Sequence, residues 1–397
     1  MTSIRSVMRR RVTWLLATAA LGGVVLTSGC SICPGLSGGA DANDGPVARQ
    51  PAQVRKAKPG GGDAWSDVPG AAGEADVVNV FGEFGGRGEN RGRVRPVGQA
   101  GYQQHTWLDE GEDAGVTVDP TGHWMVYAST RHSEKSDLYL QRVDGTAVTQ
   151  LTSDAADDAF PSFSADGSRI AFCSTRTGSW QVYVMDRDGR NVSQVTSGRT
   201  QCVHPSFSPD GKRLAYSSLG LRSGQWELWV ADLETGAQKM IGYGLFPRWS
   251  PRRDVDRIAY QRPRQRGSRW FSLWTIDLVD GEGRRPTEVA VSPAAAIVTP
   301  CWSPDGKRLA FTTVVEPSHD VKGKPFGRQD VWTVDADGGN RQRLTDGSGT
   351  NLMPFWGADG RVYFISDRDG HECVWSVRAD VGPRTFTADT KDRDDAN

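Results

Sequence analysis

Between about residues 115 and 378 the apolar residues of this chain fall in short runs of β-branched and aromatic side chains, bounded by Gly, Asp, Ser or Pro. One set reads Met125-Val126-Tyr127, Ile170-Ala171-Phe172, Leu214-Ala215-Tyr216, Ile258-Ala259-Tyr260, Leu309-Ala310-Phe311 and Val362-Tyr363-Phe364. A second set follows about a dozen residues later: Leu138-Tyr139, Val182-Tyr183, Leu228-Trp229, Leu273-Trp274, Val331-Trp332 and Val374-Trp375. Runs of this length and make-up between turn residues predict strands, and no stretch of helical period competes with them. The turns agree. Asp186-Arg187-Asp188-Gly189 and Asp335-Ala336-Asp337-Gly338 place Gly where a tight hairpin needs a positive φ.

Ahead of each first run stands one recurring phrase. It is Pro161-Ser162-Phe163-Ser164-Ala165-Asp166-Gly167 in one copy and Pro205-Ser206-Phe207-Ser208-Pro209-Asp210-Gly211 in the next. Pro300-Cys301-Trp302-Ser303-Pro304-Asp305-Gly306 and Pro354-Phe355-Trp356-Gly357-Ala358-Asp359-Gly360 repeat it. Pro247-Arg248-Trp249-Ser250-Pro251 loses the Asp-Gly to an insertion, and residues 116–122 form a degenerate sixth copy. The spacing, about 42 to 54 residues, is that of a propeller or a solenoid. A further run ending in Leu151-Thr152, Val195-Thr196 or Leu344-Thr345 supplies a fourth strand. Four antiparallel strands per unit and six units predict an all-β fold, a six-bladed β-propeller of four-stranded blades over residues 101–390.

Ring closure has two candidates. Residues 103–106 stand before the first unit as Thr149-Gln150-Leu151-Thr152 stands before the second, so they can complete the last blade; residues 384–387 could fill the same slot. The N-terminal strand matches the repeat better and is the expected closure.

Residues 1–29 read as a targeting signal: Arg5, Arg9, Arg10 and Arg11 precede an apolar stretch that Gly breaks and that is short for a membrane span. Small residues then lead into Cys30. This resembles a bacterial lipoprotein signal, which implies lipidation of Cys30; Ser31 after it points to the periplasmic side of the outer membrane. An ordinary cleaved secretory signal is the other reading. Residues 30–100 are rich in Gly, Pro, Ala and Asp without apolar period, the composition of a disordered tether. Residues 391–397 form a charged tail.

Composition changes this picture little. Lys and Arg number 47 against 48 Asp and Glu, a balance that argues against nucleic-acid binding. Of the six cysteines, Cys173 and Cys202 fall near one loop face, where an oxidising compartment permits a disulfide; free buried thiols are the alternative. Cysteine and histidine spacing gives no zinc site, and Asp-x-Asp-Gly lacks the other ligands of a calcium loop. No metal or cofactor is expected.

Pro-x-Trp-Ser-Pro-Asp-Gly-x-x-Leu-Ala-Phe, an aromatic strand, an Asp-x-Asp-Gly turn and then Leu-Thr together resemble the propeller repeat of the TolB family. The resemblance covers about residues 101–378. It implies a propeller without cofactor that serves as a protein-binding platform in the periplasm; in that family the propeller contacts a peptidoglycan-associated lipoprotein. The family's folded α/β domain ahead of the propeller has no counterpart here, where the tether stands, and that leaves a Tol-Pal role open.

Loops on a rigid scaffold are the places to look for binding. Phe160, His204, Phe246, Thr299 and Met353 each stand immediately before the repeat's Pro, so they should ring the central opening, with Asp157 and Asp158 on the same rim. Arg131, Arg176 and Arg368 recur after the second strand; they form either a cationic rim for a carboxylate-bearing partner or internal ties within their own loops. Arg248, Arg252, Arg253, Arg257, Arg262, Arg264, Arg266 and Arg269 crowd the fourth unit, where an anionic glycan or lipid could bind, though a solvated insertion explains them too. The expected function is a non-catalytic, envelope-anchored scaffold for a protein or envelope polymer. The alternative is a hydrolase or lyase working through the channel, but no Gly-x-Ser-x-Gly elbow and no hydrolase domain follow the repeats.

Overall fold

The computed structural model describes residues 101–263, 271–315 and 328–379. The signal region, Cys30, the tether, Arg264, Arg266, Arg269, residues 384–387 and the tail lie outside them.

Among the described residues, twenty-four strands make six antiparallel sheets of four. The chain enters on β1 (Tyr102–Gln104) and then builds blade one from β2 (Asp113–Val118), β3 (Trp124–Ser129), β4 (Asp137–Arg142) and β5 (Val148–Gln150). Blade two is β6 (Asp158–Phe163), β7 (Arg169–Ser174), β8 (Gln181–Asp186) and β9 (Ser193–Gln194). Blade three is β10 (Cys202–Phe207), β11 (Arg213–Leu219), β12 (Trp226–Asp232) and β13 (Gln238–Tyr243). Blade four is β14 (Leu245–Trp249), β15 (Arg257–Pro263), β16 (Phe271–Val279) and β17 (Glu282–Ala290). Blade five is β18 (Ala295–Trp302), β19 (Arg308–Val315), β20 (Gln329–Asp335) and β21 (Gln342–Arg343). Blade six is β22 (Asn351–Trp356), β23 (Arg361–Ser366) and β24 (Cys373–Arg378), and β1 completes it. The N-terminal strand closes the ring, as the repeat led one to expect, with Tyr102 opposite Val377 and Gln104 opposite Trp375.

The recurring phrase is a hairpin machine. Gly167 donates its N–H to the Ser164 carbonyl at 2.9 Å, Arg169 donates its N–H to Ser164 Oγ at 3.0 Å, and that hydroxyl donates to Asp166. The Ser164 hydroxyl, together with the N–H and hydroxyl of Ser168, holds the Asp166 carboxyl down to about 2. Blades three and five repeat the set with Ser208, Asp210 and Gly211 and with Ser303, Asp305 and Gly306. The Thr of Leu-Thr lies just past the outer strand and acts through its side chain. Thr152, Thr196 and Thr345 Oγ1 accept the backbone N–H of Leu138, Val182 and Val331 at 2.9 to 3.0 Å, which replaces ladder bonds that such short outer strands cannot reach.

Between the blades sit wedges of apolar side chains. Tyr127, Phe172, Tyr216, Tyr260, Phe311 and Phe364, one from each second strand, are almost wholly buried. Every core cluster takes residues from two adjacent blades, and the one that pairs Val116, Met125 and Tyr127 with Tyr363, Ile365 and Val374 joins blade one to blade six. Cys173 and Cys202 belong to the wedge between blades two and three. The disulfide considered for them is absent: both are free buried thiols, and Cys202 Sγ lies 3.6 Å from Ser218 Oγ. They fill apolar space from two separate sheets, and burial pushes the Cys173 thiol well up.

Candidate functional site

The innermost strand of each blade carries the same irregularity. Its pairing with the second strand skips two residues, between Ala114 and Thr117 in blade one, Ala159 and Ser162 in blade two, and Val203 and Ser206 in blade three. Blades four, five and six skip between Leu245 and Arg248, Val298 and Cys301, and Leu352 and Phe355. The first skipped residue has a left-handed backbone every time: Gly115 at φ 57°, Phe160 at 54°, His204 at 59°, Phe246 at 52°, Thr299 at 51° and Met353 at 52°. A non-glycine residue in that region costs about 1–2 kcal/mol, so five such positions are a sizeable stored strain. The Pro that follows each of these five residues disfavours relaxation into the right-handed region.

This bulge turns all six positions toward the axis. Phe160, His204, Phe246, Thr299 and Met353, singled out by their place before Pro, are brought together around one cavity with Gly115 and Arg248. The imidazole of His204 lies against Phe246 with ring centroids 3.5 Å apart, and Phe160 meets it edge-on at 4.4 Å. Trp180 extends the cluster outward, 6.2 Å from Phe160. The space left on the axis is only about 20 Å³. That is room for about one water molecule. Burial and the nearby Arg248 hold the His204 pKa well below the ordinary imidazole value, so the ring is neutral at physiological pH.

The three recurrent arginines are tied within their own blades. Arg131 Nη2 is 3.3 Å from Asp113, Arg176 Nη2 is 3.2 Å from Asp158, and Arg368 Nη2 donates to Asn351 Oδ1 at 3.0 Å. Each also bonds the Ser that ends the second strand, namely Ser129, Ser174 or Ser366. Each packs on an aromatic of the third strand as well: Tyr139 at 5.0 Å, Tyr183 at 4.8 Å or Trp375 at 5.1 Å. The repeat therefore uses a guanidinium to hold the loop after strand two onto the start of strand one. Burial raises the carboxyl pKa of Asp113 and Asp158, and the hydroxyl and guanidinium partners oppose that rise. Asp137 beside them is pushed up to about 6 by burial and by the Asp158 charge.

The described arginines of blade four occupy separate settings. Arg248 points to the axial cavity, Arg257 pairs with Asp277 at 2.6 Å, Arg252 pairs with Asp254, and Arg262 lies over Trp274 at 5.2 Å. A groove of about 480 Å³ runs between blades four and five on the face of the Asp-Gly hairpins, lined by Arg252, Arg257, Lys307, Arg308, Asp305 and Asp335 among others. It mixes both signs of charge. None of the ring residues reaches it. Among the described residues no group of three or more His, Cys, Asp or Glu is placed to hold a metal ion.

Sequence reasoning found the ring but missed what Arg248 does there. The signal was available: Arg248 stands where Ser162, Ser206 and Cys301 stand in their copies of the phrase.

Comparison with known proteins agrees with this architecture. Residues 186–394 match the model of the Tricorn protease N-terminal β-propeller domain. The chain belongs to that propeller family. Within it the repeat is TolB-like: a TolB homologue of Chlorobium luteolum is 39% identical over 75 residues, 18% of this chain and 17% of the relative. The Tol-Pal system protein TolB of Bordetella pertussis is 30% identical over 162 residues, 32% of this chain and 35% of its own. The matched stretches thus span well under half of these relatives. A solved structure of a putative TolB from Agrobacterium tumefaciens superposes with a TM-score of 0.50 at 21% identity, over 68% of this chain and 91% of that one, which supports the shared fold.

Proposed function

We propose that this TolB-like propeller is an envelope-anchored, non-catalytic scaffold, carried on a lipidated Cys30, that binds an envelope protein at the end of the axis where Phe160 and Trp180 are partly exposed, above the buried side chains of His204, Phe246, Thr299 and Met353. The observation that carries the reading is the filled axis. Side chains leave about 20 Å³ at the centre, so this face offers a surface to a partner and no channel to a substrate. Aromatic side chains favour that use: Phe160 and Trp180 are partly exposed there, and aromatics are enriched at the hot spots of protein interfaces. Similarity to proteins named for the Tol-Pal system supports a partner in the cell envelope.

The test is photocrosslinking from residue 160 or 180 in cells, with position 307 on the opposite face as control. One envelope protein crosslinked from the ring face only, and recovered in the membrane fraction unless Cys30→Ala is present, is the expected result. Turnover of an oligosaccharide or peptide by the purified protein, with no specific crosslink, would overturn the reading.

A further inference from the structure

Ser206 and Cys301 show what the position after the bulge does in two other blades: each side chain accepts a backbone N–H from the next blade, Trp249 N to Ser206 Oγ at 3.0 Å and Trp356 N to Cys301 Sγ at 3.3 Å. Blade four has Arg248 in that place, and its side chain lines the axial cavity instead. Among the described residues no ion pair includes Arg248, and the titratable groups that act on it besides His204 are the thiols of Cys301 and Cys173. Burial raises both thiols, so neither supplies a negative charge at neutral pH. Arg248 is half-buried, and a guanidinium keeps its proton in a protein, so the cavity carries a positive charge on its wall.

A second group on the same cavity also lacks a partner. His204 is 7% exposed, and its Nδ1 is buried with no hydrogen bond. A neutral imidazole carries one N–H, and here the free nitrogen and the uncompensated guanidinium border one small space.

We propose that the axial cavity binds a single chloride ion between the guanidinium of Arg248 and the Nδ1–H of His204. The ion supplies a negative charge beside the guanidinium and accepts from His204, whose neutral ring in this reading carries its one proton on the unpartnered Nδ1. Size selects the ligand: about 20 Å³ admits one water-sized particle, and a carboxylate or phosphate is too large. Bound there, the ion touches residues of blades three and four and pins them at the axis.

The experiment follows the thermal unfolding of the full-length protein at constant ionic strength while sodium chloride replaces sodium gluconate. Expected is a saturable rise of about 2–4 °C in the midpoint, the size that ligand linkage gives a domain like this one. Arg248→Gln should show no chloride response, and crystals grown in bromide should give an anomalous peak in the cavity. Equal midpoints in chloride and gluconate would overturn the proposal, as would a chloride response that survives in Arg248→Gln. A cavity that holds only water in bromide-grown crystals would do so too. If Arg248→Gln does not fold, the wild-type titration and the bromide crystals still decide.

Discussion

The ring of His204 stacks on that of Phe246 at 3.5 Å across the boundary between blades three and four, although each residue holds a left-handed backbone to do so. The contact and the strain come from the same bulge, so substitution can separate them. His204→Gly relaxes φ but removes the stack, and it should cost about 2 kcal/mol or more. Thr299 has the same backbone with a β-branched side chain, the worst case for that region, and its hydroxyl makes only a 3.4 Å contact to Thr312. Thr299→Gly should be neutral or stabilising by up to about 1 kcal/mol, since the relieved strain exceeds the added unfolded-state entropy. Urea denaturation of both variants checks the contrast.

Arg176 and Asp158 make a further prediction. Arg176→Met leaves a buried carboxylate without its guanidinium and should lose about 3 kcal/mol at pH 7. Adding Asp158→Asn should restore most of that loss, because blade six already uses the neutral version, Asn351 with Arg368. A double-mutant cycle measures the recovery.

Asp137 sets a pH dependence. Its folded-state carboxyl titrates at about 6, above its ordinary value of 3.8, so the folded protein holds the proton more tightly than the unfolded chain. Stability from this group is present below about pH 4 and falls as pH rises toward 6. Asp137→Asn should therefore melt higher than wild type at pH 7 and the same at pH 4. The equivalent residue of blade two is Gln181, whose Oε1 accepts from Thr196 at 2.8 Å, so an amide fits the site. Melting curves across pH 4 to 8 are the check.

Closure by β1 predicts a sharp boundary for truncation. Removing residues 1–100 should leave the melting midpoint unchanged. Removing residues 1–106 takes away β1 and also His105, whose Nε2 is 2.7 Å from Ser376 Oγ, and it bares the edge of β24. That protein should melt at least about 10 °C lower and self-associate through the open edge. Calorimetry and light scattering on the two truncations distinguish these outcomes.

The repeats made the propeller legible because turn chemistry at Ser164, Asp166 and Gly167 recurs closely enough to be read without neighbours. The axial ring was legible for the same reason: a residue fixed before Pro in each copy occupies one place in every blade. Pairings between distant segments were harder to see. Asp113 with Arg131 and Asp158 with Arg176 stand 18 residues apart in both blades, a regularity that marks a tie within the blade, while the arginines alone left a cationic rim and internal ties both open. Nor does a string of arginines in blade four reveal that Arg248 turns inward while Arg252 and Arg257 find partners of their own. Side-chain direction at a bulge is set by the backbone, and composition does not record it.

The junction of β1 with β24 joins the first described strand of the chain to the last, Tyr102 with Val377. Every intervening blade must be synthesised before that seam forms, so the seam is a late event in folding. It also decides where tension enters. A pull on the chain ahead of residue 101 falls first on three residue pairs, Tyr102 with Val377, Gln103 with Ser376 and Gln104 with Trp375, and passes along the chain to β2 of blade one once that seam gives way.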